Sequence, residues 1–138
     1  MPDVAYLDHA ATTPVRPEVR AAMEPFLGEV FGNPSGIHSV ARRAKTALEA
    51  AREEIATGLG CRPGEVVLTG GGTEADNLAV IGAARAGAAR GDGFRVVVSA
   101  VEHKAVSAAA RSLRPEGFDV RVVGVGADGV IDLDDLDD

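Results

Sequence analysis

The chain has 138 residues, 46% of them hydrophobic, with a single cysteine and a formal net charge of −7. That length suffices for one domain with a core of its own, and one cysteine excludes an internal disulfide and leaves no thiolate metal site to expect. An acidic balance speaks against a nucleic-acid partner, and no apolar stretch approaches the ~18 residues of a membrane span.

The opening segment, "MPDVAYLDHAATTP", lacks the basic flank and apolar run of a secretory signal, so a cytoplasmic chain is expected. Thr13 is a candidate cap, and the prolines that follow suit the start of a short helix over about 17–27. "FGNPSG" is a turn cluster from which Ser35 would cap the next helix. Ile37, Val40, Ala41, Ala44, Leu48, Ala51, Ile55 and Leu59 then recur at spacings of three and four, one face of a 3.6-residue period. Lys45 and Glu49 make a mild solvent-side pair, and Gly58 or Gly60 ends the helix.

From there strands and helices alternate. "EVVLT" (65–69) reads as a strand, 73–89 as a small-residue helix, 94–100 as a strand, 104–113 as a helix and 118–125 as a strand. Valines on successive strand positions, linked through helices, indicate a parallel sheet covered on both faces. "GVIDLDDLDD" opens a further helix capped by Asp132. Most of the acidity belongs here, in Asp132, Asp134, Asp135, Asp137 and Asp138. The chain stops inside that helix, so the expectation is the front part of a longer design.

Two features carry chemistry. "LTGGGTEADNLAV" (68–80) is strand, three glycines, helix: the glycines bring backbone amides close to an anion, and the helix start favours a phosphate. Thr73 either lends its hydroxyl to the phosphate or caps the helix with Asp76 in a capping box. Gly70, Gly72 and Ala75 also satisfy the G-x-G-x-x-A dinucleotide fingerprint, with Glu102 as a late acid, so a nicotinamide-binding module stays open. His103 lies just past the carboxyl end of a parallel strand, where open α/β sheets bind ligands. There it either stacks on a flat ring and passes protons, or caps the helix that follows.

The motifs "YLDHAATTP", "FGNPSGIHSVARRA", "VVLTGGGTEADNLAV", "VEHKAV" and "GVIDLDDL" occur in the order and at about the spacing found at the start of cysteine desulfurases. The chain resembles that family, pyridoxal-phosphate enzymes of the class V aminotransferase group, over essentially its whole length. The resemblance implies an α/β fold: part of the large domain of a fold type I transferase, with parallel strands and covering helices, preceded by N-terminal helices. Residues 1–60 would be the N-terminal segment and 61–138 the start of the cofactor-binding domain, cut at its C-terminal end.

By the same resemblance, Gly72 and Thr73 match the pair that holds the phosphate of pyridoxal phosphate. His103 matches the histidine stacked on the pyridine ring. The stretches around Ala11 to Thr13 and Asn33 to Ser35 match the active-site entrance. The implied reaction takes sulfur from L-cysteine, leaving L-alanine and an enzyme persulfide for iron–sulfur cluster or thiocofactor assembly. The implied partners are a second copy in a homodimer and a sulfur acceptor or scaffold protein. The family's cofactor-anchoring lysine, pyridinium-pairing aspartate and sulfur-accepting cysteine fall beyond residue 138, so no catalytic residue is expected within this chain. Lys104 is then an ordinary helix-start lysine, and Cys61, in "GLGCRPGE", an incidental turn residue. His9 and His38 receive no role. Selenocysteine lyases and other class V members share this front half, and a non-catalytic fragment or half of a split enzyme is the remaining alternative.

Overall fold

A computed structural model describes residues 4–137. The chain divides into two compact units, Met1–Val67 and Leu68–Asp138.

In the first unit, α1 spans Pro17–Met23. Pro17 stands at its first position, where the missing N–H would have had no helical partner. Thr13 does not cap it. The N-cap is Arg16, without a side-chain bond, and Thr13 Oγ1 instead lies 3.3 Å from His9 Nδ1. A 3-10 turn, Glu24–Leu27, follows directly.

The turn at 32–36 corrects a second expectation. Asn33 Oδ1 accepts from the Ser35 amide at 3.0 Å, and the Gly36 amide donates to the Asn33 carbonyl at 2.9 Å. Ser35 is thereby folded into an Asx turn, and the helix starts beyond it. That helix, α2, runs over Ser39–Leu59 and is capped by His38, whose Nδ1 accepts from the Ala41 amide at 3.3 Å. Gly36 is tightly enclosed: a Cβ there would stand 2.7 Å from Ala41 Cβ and 3.2 Å from His38 Nε2. Glu49 turns to Arg52 at 3.5 Å rather than to Lys45. Gly60, at φ +69°, ends α2 in the left-handed conformation that glycine adopts without strain.

No strand forms over 65–69. Pro63–Glu65 is a 3-10 turn, and 66–69 continue without a strand partner among the described residues. The β-branched run supplies propensity, but a ladder also needs a neighbour. The Val66 carbonyl is taken by the Arg52 guanidinium instead.

The second unit has the expected alternation. Helix α3 (Gly72–Arg90) ends at Gly91, φ +87°; strand β1 (Arg95–Ser99), helix α4 (Lys104–Ser112) and strand β2 (Asp119–Val123) follow. The strands pair in parallel, in register from Arg95 opposite Asp119 to Ser99 opposite Val123, with α4 as the crossover. Ala110, Leu113, Phe118 and Val120 are buried, and Val80, Ile81, Ala84, Ala88, Val96 and Val98 pack against them. This core lies between the sheet and helices α3 and α4. Leu113 is fully buried at the end of α4. Phe94 and Phe118 meet in a tilted pair with centroids 5.1 Å apart.

Beyond β2, a single antiparallel bridge between Val125 and Ile131 closes a short loop. Helix α5 spans Leu133–Asp137, and Asp132 Oδ1 caps it by accepting from the Asp134 amide at 3.1 Å. Asp135 fastens this segment to β2. Its carboxylate accepts from the Arg121 guanidinium at 2.7 Å and from the Gly124 amide at 2.8 Å. Those two bonds, the amide first, hold its pKa below the usual carboxylate range. Among the described residues no helix is long and apolar enough to cross a membrane.

Candidate functional site: a glycine loop and a helix-capping histidine

The chain reaches α3 through Gly70 and Gly71, and the N-cap is Gly71, which offers no side chain. The first helical bond runs from the Ala75 amide to the Gly71 carbonyl at 3.1 Å. Thr73 is therefore the second residue inside the helix and exposed, which corrects the reading of Thr73 and Asp76 as a capping box. Glu74 does the reaching back, with its Oε2 accepting from the Gly70 amide at 2.7 Å. The cap therefore stands two residues before Thr73.

The amides of Gly72, Thr73 and Glu74 belong to the first turn, where no helical carbonyl lies behind them. They open with the Thr73 hydroxyl onto one cleft, lined by Gly70, Gly71, Gly72, Thr73, Glu74 and Asn77 among others. A Cβ added at Gly71 or Gly72 would meet no atom within 4 Å. Space beside these two glycines is thus open at the positive end of a 19-residue helix. This set fits a phosphate group: amides and a hydroxyl as donors, room for the anion, and a favourable dipole. Its opposing element is the carboxylate of Glu74.

His103 caps α4. Its Nδ1 accepts from the Ala105 amide at 3.2 Å, and its carbonyl accepts from the Ser107 amide at 3.1 Å. The residue is exposed, so the capping bond engages one ring nitrogen and leaves the ring faces accessible. Both readings of His103 are therefore compatible. Gly72, Thr73 and His103 all belong to the second unit. Gly72 and Thr73 open α3, the helix before β1, and His103 caps α4, the helix after it; the cleft at the glycine loop is lined from α3 and its loop and does not include His103. Ala11 to Thr13 and Asn33 to Ser35 belong to the first unit.

One further pair escaped sequence reasoning. Ser99, the last residue of β1 and 9% exposed, donates through Oγ to Glu102 Oε1 at 3.0 Å. A serine closing an apolar strand with an acid three residues on was the available signal. Lys104 is the exposed first residue of α4. Cys61 is half-buried in the turn after α2, its amide donating to the Ala56 carbonyl at 3.0 Å. The two unassigned histidines have structural work: His38 caps α2, and His9 meets Tyr6 edge-on at 4.9 Å. Tyr6 in turn donates to the Asp8 and Thr12 carbonyls, at 2.8 and 3.0 Å. Of the perturbed ionisable groups, Arg85 lines the far part of the same cleft as the glycine loop. Arg85 and Glu116 form a two-pronged pair at 2.9 and 2.7 Å that raises the arginine and lowers the carboxyl, and Arg62 lowers Glu65.

A glycine loop opening a helix beside a parallel βαβ crossover is an arrangement of α/β cofactor-binding proteins, and comparison with known families specifies it. Residues 5–138 match the model described as Aminotransferase class-V, and the chain belongs to that family of pyridoxal-phosphate enzymes. It is 47% identical over 131 residues to a protein of Dictyoglomus turgidum named cysteine desulfurase IscS, covering 95% of this chain and 33% of that one. Among solved structures, one described as a NifS-like protein superposes with a TM-score of 0.81 at 34% identity, over 94% of this chain and 35% of its own. Another, described as SspA in complex with cysteine, gives a TM-score of 0.76 at 37% identity, over 88% of this chain and 35% of its own. The chain therefore spans about a third of the length of these relatives. The expected fold class stands: a partial α/β domain of the fold type I kind. The family match also displaces the nicotinamide reading of Gly70, Gly72, Ala75 and Glu102.

Proposed function

We propose that the chain is the front portion of a pyridoxal-phosphate-dependent cysteine desulfurase, supplying part of the cofactor cradle. The observation that carries this reading is the 47% identity to a named cysteine desulfurase across 95% of the chain. The glycine loop supports it. In this reading residues 61–138 open the cofactor-binding domain. The Gly72 and Thr73 amides and the Thr73 hydroxyl hold the phosphate, and His103 lies over the pyridine ring. When bound, the cofactor supplies an electron sink for breaking the carbon–sulfur bond of L-cysteine. What these residues contribute is orientation: a fixed phosphate fixes the ring, and a stacked imidazole restricts its tilt.

Neither Lys104 nor Cys61 is placed for covalent work in this reading. Lys104 follows the capping histidine on an exposed helix start, and Cys61 closes a turn in the other unit. The covalent lysine and the sulfur-accepting thiol come from family segments with no counterpart in residues 1–138. The complete enzyme acts in the cytoplasm as a homodimer, converts L-cysteine to L-alanine and passes sulfur to an acceptor or scaffold protein for iron–sulfur cluster or thiocofactor assembly.

The test is to titrate the purified chain with pyridoxal phosphate, follow absorbance, reduce with borohydride and locate any adduct by mass spectrometry. Weak binding, no stoichiometric lysine adduct and no sulfide from cysteine are expected. A stoichiometric adduct on Lys104 with sulfide release would overturn the assignment of roles, and no binding at all would overturn the cradle.

A further inference from the structure

The turn from β1 into α4 is held at three points. The Ala100 amide donates to the Val123 carbonyl at 2.8 Å, tying the end of β1 to β2. Ser99 Oγ donates to Glu102 Oε1 at 3.0 Å across the turn. The Ala105 amide donates to His103 Nδ1 at 3.2 Å at its far end. An amide N–H only donates, so Nδ1 is the bare nitrogen of the ring, and the neutral imidazole carries its proton on Nε2. From these contacts we infer that Ser99 and Glu102 are positioning residues for His103. They lock the turn so that the ring keeps its capping bond and presents Nε2–H outward toward whatever binds at the strand edge.

The physical ground is the way the restraints follow one another along the chain. Ser99 is almost wholly buried and fixed by its strand register opposite Val123. Glu102, although exposed, is anchored to it, and its own backbone carries the peptide that leads into His103. With φ of His103 at −56° and ψ at 147°, the residue has left the helix but already aims its side chain at the first-turn amides. Releasing Glu102 frees Val101 and Glu102, the two residues between Ala100, which stays tied to β2, and the cap, and the ring then exchanges between tautomers. The hydrogen bond to one ring nitrogen fixes which nitrogen holds the proton; here that bond is the Ala105 amide's, and the turn held by Ser99 and Glu102 keeps it in place. Toward the cofactor, the inference rests on the proposed function; toward the ring's tautomer it stands on these contacts alone.

The test is long-range ¹H–¹⁵N spectroscopy of the histidine rings in the full 138-residue chain, at a pH about two units above the ordinary imidazole value of about 6.5. His38 makes the same kind of cap in the other unit and serves as the internal control. Wild type is expected to show His103 with bare Nδ1 and protonated Nε2. Ser99→Ala and Glu102→Ala should move both nitrogens toward tautomer-averaged shifts and leave His38 unchanged. Glu102→Gln keeps an accepting oxygen for Ser99 and should restore the wild-type pattern. Alongside, Glu102→Ala should weaken pyridoxal phosphate binding about tenfold, the low end of what losing an orienting partner costs a ligand-binding histidine. Unchanged His103 resonances in the alanine variants, or a Glu102→Gln spectrum resembling Glu102→Ala, overturn the positioning role. Absence of cofactor binding in wild type, with the tautomer effect intact, overturns the functional reading alone.

Discussion

At the loop, one carboxylate works against the ligand the rest of the site favours. Glu74 steadies the loop by accepting from the Gly70 amide at 2.7 Å, yet it puts a negative charge within the same helix turn as the proposed phosphate donors. Glu74→Gln retains the accepting oxygen and removes the charge. It should tighten binding of pyridoxal phosphate by about two- to fivefold at low ionic strength, the usual size of a first-turn charge effect. Equilibrium dialysis at two salt concentrations checks this, with the gain shrinking at the higher one. Asp135 gives a residue-scale prediction in pH. Its folded pKa lies below the unfolded value of about 3.9. The stability it contributes is therefore complete above that unfolded value and is lost as pH falls through the lower folded value. The Gly124 amide reports this directly. Its hydrogen exchange, normalised for intrinsic rate, should accelerate on acidification below about pH 4 in wild type, and Asp135→Ala should show the fast rate at every pH.

Among the elements, α4 carries the most structural weight, because it links the two parallel strands and brings Leu113 into the core. Leu113→Ala removes the largest fully buried aliphatic side chain of the second unit, and substitutions of this kind cost about 2–5 kcal/mol. Urea unfolding followed by far-UV circular dichroism should show the midpoint falling sharply, with loss of the second unit's helical signal first. The helices were readable in sequence because they carry their own signals. Ile37 to Leu59 repeat at helical spacing, and glycines stand at 60 and 91 where the chain turns left-handed. Strands 95–99 and 119–123 were readable because a helix of crossover length separates them. The run at 65–69 was not, since pairing belongs to two segments and no pattern within "EVVLT" names the second. Caps were the least readable. His38 in place of Ser35 and Gly71 in place of Thr73 depend on how tightly the preceding turn folds, which is a matter of backbone geometry and not of residue type. At the site, the glycines and His103 were visible as chemistry-bearing types, whereas the Ser99–Glu102 bond appears only once strand and turn bring them together.

For the whole molecule, the balance of buried and exposed apolar surface is unusual for its length. Among the described residues the buried hydrophobic side chains are five alanines, Ala41, Ala56, Ala105, Ala109 and Ala110, and four larger ones, Leu113, Phe118, Val120 and Val123. Meanwhile Leu7 and Ile37 are 91% and 92% exposed, and Leu27, Leu59 and Phe31 are exposed as well. Such surface binds hydrophobic dyes and promotes association. The isolated chain should enhance ANS fluorescence at neutral pH and show concentration-dependent sedimentation, and a dye-silent, concentration-independent monomer would contradict this distribution.

The enclosure of Gly36 has a genetic counterpart. In a library carrying every amino acid at every position, selected for folded protein, position 36 should return one letter, since even a methyl group would stand 2.7 Å from Ala41 Cβ. Gly58, the penultimate residue of α2 with open space around it, should accept many, with alanine enriched over the parent. Two glycines that look alike in print would differ in information content as widely as two sites can.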